Sequence, residues 1–173
     1  MSGELVRVQL MTLPSLSTDK TVDPLNTPKR IILMDLNVAL SENFSEMKHH
    51  SFINFITSVE KYRLWLIDLL REEYVIVITA RDDKWKEQTL KRIFEESGWN
   101  PQEALFNDTG IKGDNPPEIK KAAMEKYVLP THGMGANYLA IESNASTRSM
   151  YKKLGIKAID CLREGSWTEI PNE

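Results

Sequence analysis

Two stretches constrain this chain more than any other: "IILMD" at residues 31–35 and "YVIVITA" at residues 74–80. Neither alternates apolar with polar residues. A strand with one wet face does alternate, so an unbroken apolar run points to a strand buried on both faces. Such strands need a cover on each side, and crossover helices supply it. The residues between the runs fit that role. Phe52, Phe55, Ile56 and Val59 recur at helical spacing, and Tyr62, Leu66 and Leu70 continue the stripe, which predicts a helix across this stretch.

The same alternation continues to the end of the chain. "DDKWKEQTLKRIFEESGW" reads as a helix with acids in its first turn and with Leu90, Ile93 and Phe94 on one face. "EALFN" is a short third strand, and "PPEIKKAAMEKYV" opens on prolines and becomes helical. "NYLAIE" is a fourth strand, "ASTRSMYKKLG" a helix closed by Gly155, and "IKAID" a fifth strand. The expected fold is therefore α/β, with a parallel sheet covered by helices on both faces and right-handed crossovers. Ligands of such a sheet sit beyond the carboxyl ends of its strands.

This pattern occupies residues 29–173 as one domain. Residues 1–28 differ: "ELVRVQLM" alternates like a short strand, and a Pro-, Ser-, Thr- and Asp-rich linker follows it. We expect an N-terminal arm that docks on a sheet edge of its own chain or of a second copy, making a homo-oligomer. The balance of 22 basic and 25 acidic residues gives a net charge of −3 and no electrostatic case for broad nucleic-acid or membrane binding. It leaves room for a small basic groove. Cys161 is the single cysteine, so the chain has no internal disulfide and no cysteine metal cluster. No apolar run approaches a membrane span, and "MSGELVRVQLMTL" does not read as a signal peptide, so a cytoplasmic location is expected.

The strand ends carry the chemistry. The first strand ends at Asp35, the second at Thr79 and the fourth at Glu142, while Lys120 lies at the start of the helix after the third. Singly, each has an ordinary explanation as a turn, cap or solvated residue. Together they place a carboxylate, a hydroxyl, an ammonium and a second carboxylate on one rim. That set suits phosphoryl transfer: a carboxylate attacks phosphorus, a hydroxyl holds a phosphoryl oxygen, and an ammonium offsets the charge. Two carboxylates with one backbone carbonyl are also a partial shell for Mg²⁺.

In sequence order, "MDLN", "VITARDD", "GDNPPEIKKAAMEK" and "AIESN" resemble the motifs of the haloacid dehalogenase (HAD) superfamily of phosphatases. "ESNASTRSMYKKLGI" is similar to the closing segment of the phosphatase domain of the bacteriophage polynucleotide kinase type. The resemblance implies a HAD-type Rossmann-like three-layer sandwich, with Asp35 as nucleophile and Thr79, with Ala80 and Arg81, at the substrate phosphate. It makes Lys120 or Lys121 the charge-stabilising lysine. It gives Mg²⁺ to Asp35, the Asn37 carbonyl and Glu142. The implied substrate is a phosphorylated one, a nucleotide or a nucleic-acid end. The segment after the nucleophile, "SENFSEMKHHSFINF", is too short for a large cap, which leaves an open site. His49 and His50 would reach a phosphate from the rim, although paired histidines before a helix are more often simply solvated. Trp85 would stack on a base, although a tryptophan on an amphipathic helix usually packs.

Two departures matter. The family's phosphatases carry a second Asp two residues after the nucleophile as general acid and base, and this chain has Asn37 there. An amide hydrogen-bonds but has no titratable proton near neutral pH. Ser143 likewise stands where the second acid of the fourth-strand pair is expected. The expectation is a phosphatase-like site with weakened or lost turnover. The alternative is a non-catalytic binding or assembly module on the same fold.

Overall fold

The computed structural model of the chain describes residues 30–172. The arm and linker expected over residues 1–28 lie outside the described residues. The strands are β1 (Ile31–Asp35), β2 (Tyr74–Asp82), β3 (Glu103–Asn107), β4 (Tyr138–Ile141) and β5 (Lys157–Ile159). They form one five-stranded sheet in the order β3-β2-β1-β4-β5, and every pair is parallel. The main helices are α1 (Leu64–Leu70), α2 (Lys86–Ser97), α3 (Pro116–Ala123) and α4 (Ala145–Lys153).

The apolar runs resolve into two cores by strand parity. Ile32, Met34, Val75 and Val77 face α1 and α2 and pack with Leu66, Ile67, Leu70 and Ile93. Ile31, Leu33, Ile76 and Ile78 face the other way and pack with Ala123, Met124, Met150 and Tyr151 of α3, its continuation and α4. Side chains alternate across a strand, so a run that is apolar throughout fills both layers. Each of these eight strand residues is at most 2% exposed. This is the three-layer arrangement expected from the sequence.

Strand order sets the position of the site. The chain lays β2 and β3 on one side of β1 and β4 and β5 on the other, so direction reverses at β1. A crevice at the carboxyl ends results, where two crossovers part to opposite sides. Asp35 pairs in register with Ile78, one residue before Thr79, and Met34 pairs with Ile141, one residue before Glu142. The ends of three adjacent strands therefore meet at one level.

The continuous helix expected over 52–70 is instead broken. Phe52–Asn54 is helical, Phe55–Val59 widens into a turn closed by Glu60 N–H donating to Phe55 O at 2.7 Å, and Glu60 then leaves helical geometry at φ −59°, ψ 131°. Thr57 and Val59 are β-branched and stiff in a helix. The Asn43 side chain takes the Lys61 N–H at 2.8 Å and donates to Val59 O at 3.0 Å, so it holds the chain in the extended turn. Periodicity passed over this break because Tyr62, Leu66 and Leu70 remain buried after it. Phe94, expected on the buried face of α2, is 53% exposed. No separate cap domain intervenes between β1 and β2: residues 41–63 hold only short turns and helical segments.

Candidate active site

Beyond the carboxyl ends of β1, β2 and β4 lies a cavity of about 250 Å³. Asp35, Asn37, Ala80, Lys120 and Glu142, all singled out from sequence, line it together with Ser143. Lys120 reaches it from the buried face of α3. Its Nζ donates to Asp35 Oδ1 and to Glu142 Oε2, each at 2.6 Å, and the residue is 1% exposed. Lys121, the rival lysine, points outward and pairs with Glu125 at 3.6 Å. Burial disfavours the charged ammonium, but Asp35 and Glu142 outweigh it and hold Lys120 protonated well above the usual lysine range.

The two carboxylates do different work. Asp35 Oδ2 accepts the Ser143 hydroxyl at 2.7 Å, and the same hydroxyl lies 3.2 Å from the Asn37 carbonyl oxygen. Glu142 turns away from that point. Its Oε1 accepts the Asn144 N–H at 2.9 Å, and its other oxygen faces Lys120. Burial raises the Glu142 carboxyl above its ordinary value, against the pull of Lys120. Both of its oxygens nevertheless accept N–H donors, as a carboxylate does. Asn144 also caps α4, accepting from Thr147 N–H at 2.9 Å, which anchors the loop that carries Glu142 and Ser143.

This geometry redistributes the oxygens expected to hold Mg²⁺. Asp35 Oδ2, the Asn37 carbonyl and Ser143 Oγ cluster with spacings of 2.7 and 3.2 Å. Adjacent donors of an octahedral Mg²⁺ shell with bonds of about 2.1 Å stand roughly 3 Å apart. The set is hard, all-oxygen and so spaced, and it fits the ion, with Ser143 in the place expected for Glu142. It has one carboxylate, so its attraction for a divalent cation is weaker than that of a two-carboxylate site. Among the described residues no three His, Cys, Asp or Glu side chains converge as a metal cluster.

Two buried guanidiniums hold the loop after β1. Leu36–Leu40 forms one wide turn, closed by Ser41 N–H donating to Leu36 O at 2.8 Å. Inside it Val38 has φ 69° and ψ −37°, a rare conformation for a β-branched residue that costs on the order of 1–3 kcal/mol. Arg63 Nη1 offsets that strain by donating to the carbonyls of Val38, Ala39 and Ser41 at 2.9, 2.8 and 3.0 Å. Arg81 holds the other side. It donates to Glu60 through both terminal nitrogens, at 3.0 and 2.7 Å, to Thr89 Oγ1 at 2.9 Å and to Asn37 Oδ1 at 2.9 Å. Phe52 covers the guanidinium at 5.3 Å.

Arg81 was expected at the substrate phosphate, yet its side chain is turned inward and committed to Glu60, because a buried cation without a counter-charge would be far more costly. Thr79 is buried, and its hydroxyl oxygen accepts the Arg81 N–H at 3.1 Å, while its own proton has no acceptor among the described residues. Gly113 lies against the Ala80 carbonyl, where a Cβ would approach to 3.3 Å, so only glycine lets the 110–115 loop close over this wall without a shift. His49 and His50 are exposed and do not line the cavity. Trp85 packs on Phe52 with ring centres 5.4 Å apart. Sequence reasoning missed Glu60, Arg63 and the placement of Ser143. Glu60 and Arg63 carry no local signal, since charged residues within an apparent helix read as solvated. A larger cavity of about 410 Å³ lies at the opposite, amino-terminal ends of the strands, where Arg30 pairs with Glu73 and Thr168 and Glu169 complete the polar lining.

No protein-family model matches the chain, and no curated protein matches it in sequence. In structure it is similar to a chain of the Pnkp1/Rnl/Hen1 RNA repair complex, with TM-score 0.58 and 14% identity, over 87% of this chain and 48% of that one. It is also similar to a hydrolase from Streptococcus pneumoniae TIGR4, with TM-score 0.49 and 14% identity, over 81% of this chain and 94% of that one. The chain thus spans about half the length of the RNA-repair chain. At such identity the likeness is one of fold, and the fold is the parallel, Rossmann-like three-layer one expected from the sequence. Among the described residues no helix is long and apolar enough to cross a membrane.

Proposed function

We propose that this chain is a Mg²⁺-dependent, HAD-like phosphoryl hydrolase with slowed turnover, acting on the phosphate of a nucleotide or nucleic-acid end. The observation that carries the reading is Lys120 held at 2.6 Å between Asp35 and Glu142 on the wall of a cavity beyond the strand ends. Asp35 is the nucleophile. Lys120 fixes its orientation and offsets charge as a phosphoryl group arrives. Asn37 Nδ2 is a donor for a phosphoryl oxygen on the cavity wall, with Thr79 buried behind it. Glu142 holds Lys120 in place, and Arg81 holds Asn37. The metal would lie with Asp35, the Asn37 carbonyl and Ser143, where it would supply positive charge to the transferring group. The choice of a nucleic-acid end draws on the RNA-repair setting of the structural neighbour.

Asn37→Asp is the direct test. Asp and Asn are nearly isosteric, and Glu60 already compensates Arg81, so a carboxylate at this position meets no unpaired guanidinium. Mg²⁺-dependent hydrolysis of an aryl phosphate should rise about a hundredfold, the scale of general acid–base help. The gain should vanish in the Asp35→Asn, Asn37→Asp double variant. If Asn37→Asp folds, binds Mg²⁺ and still hydrolyses nothing above background, the non-catalytic binding module takes the place of this reading.

A further inference from the structure

We infer that the cavity narrows the proposed substrates: it selects phosphoryl groups carried on leaving groups that depart as stable anions, acyl phosphates and nucleotide phosphoanhydrides, over alkyl phosphomonoesters, the phosphate of a nucleic-acid end among them. The inference rests on the reading of Asp35 as nucleophile. It starts from the orientation of one amide. A guanidinium only donates hydrogen bonds, so the Asn37 atom 2.9 Å from Arg81 Nη2 is the oxygen. Arg81 cannot swing away, since Glu60 and Thr89 hold it and its side chain is wholly buried. Asn37 Nδ2 is then the amide's free end, and Asn37 lines the cavity. The wall offers a fixed N–H donor at this point, and that donor never gives up its proton.

None of the other groups on the wall replaces it. Asp35 is consumed as the nucleophile. Glu142 is engaged away from Asn37, one oxygen by Lys120 and the other by the Asn144 N–H. Lys120 Nζ is committed to Asp35 and Glu142 at 2.6 Å each, which points its N–H groups at carboxylates and not at a leaving oxygen. The Ser143 hydroxyl donates toward Asp35 and the Asn37 carbonyl. No histidine lines the cavity among the described residues. An alkoxide leaving without a proton resembles hydroxide, whose parent acid has a pKa of about 15.7. A carboxylate, with a pKa of about 4, or a phosphate, with a pKa of about 6, leaves unprotonated at neutral pH.

The step balances without an acid. An Asp35 carboxylate oxygen bonds to phosphorus as the bond from phosphorus to the leaving oxygen breaks, and the leaving group keeps the electron pair. Water then attacks phosphorus, Asp35 departs as carboxylate, and both protons of that water remain on the dihydrogenphosphate, which releases one to solvent.

The test compares the unaltered chain, Asn37→Asp and Asp35→Asn on acetyl phosphate and on glycerol 3-phosphate, with Mg²⁺, following phosphate release and hydroxylamine-sensitive labelling of Asp35. The unaltered chain should turn over acetyl phosphate in an Asp35-dependent way and leave glycerol 3-phosphate at background. The gain that Asn37→Asp confers on glycerol 3-phosphate should exceed its change on acetyl phosphate by about a hundredfold. Equal gains on both substrates, or no acetyl phosphate turnover by the unaltered chain, overturn the inference. Activity of Asn37→Asp on glycerol 3-phosphate would still uphold the nucleophile reading in those cases. Hydrolysis that persists in Asp35→Asn removes that reading, and the inference with it.

Discussion

Glu60→Gln should destabilise this protein out of proportion to the change. Three donors converge on two oxygens: Arg81 Nη2 on Oε1, and Arg81 Nη1 with the Tyr62 hydroxyl on Oε2. Both Glu60 and Arg81 have fully buried side chains. Glutamine offers one oxygen, so its NH₂ must face a donor whichever way the amide turns, and Arg81 becomes a buried cation without a counter-charge. Breaking a buried pair from one side costs about 3–5 kcal/mol. For a chain of this length that shifts Tm downward by roughly 6–20 °C. Urea denaturation followed by tryptophan fluorescence measures it. The Glu60→Met, Arg81→Met double variant should recover much of the loss, because an apolar pair needs no compensation. A Glu60→Gln unfolding free energy within about 1 kcal/mol of that of the unaltered chain would refute the argument that this pair holds Arg81, and with it the fixed orientation of Asn37.

Lys120→Met should lower phosphoryl turnover by at least about tenfold, whereas Lys121→Met should change it less than twofold, as steady-state hydrolysis will show. Ser143→Ala should weaken Mg²⁺ binding in calorimetry, while Ser143→Asp should tighten it by adding a second charge to the oxygen cluster. Stability should fall as pH rises above about 10, because Tyr62 and Tyr151 are raised from 10.0, chiefly by burial, and Lys120 from 10.5, where its carboxylates outweigh burial. In each case the folded state keeps a proton that the unfolded state releases. The contribution is therefore whole below the unfolded value and lost through the folded one. A melting temperature flat from pH 9 to 12 would contradict this.

The sequence alone determined the layers and the rim. Unbroken apolar runs permit only strands covered on both faces, and a parallel sheet must present its ligands at the carboxyl ends. Asp35, Lys120 and Glu142 could therefore be chosen from the strand ends, and Asn37 and Ala80 were added by the family resemblance; these five line one cavity, whereas Thr79 and Arg81, chosen with them, do not. Tertiary structure decided which atoms of those residues face which. Whether Glu142 or Ser143 approaches the Asn37 carbonyl depends on a loop pinned by the Asn144 cap, and one residue's difference at a strand end reverses the side chain's direction. Whether Arg81 meets a phosphate or a glutamate depends on Glu60, twenty-one residues earlier, arriving from a broken helix whose periodicity looked intact. Periodicity records burial, and both sides of that break are buried. A pairing between two charged side chains leaves no such trace, because it is set by distance in space and by the cost of burying either charge alone.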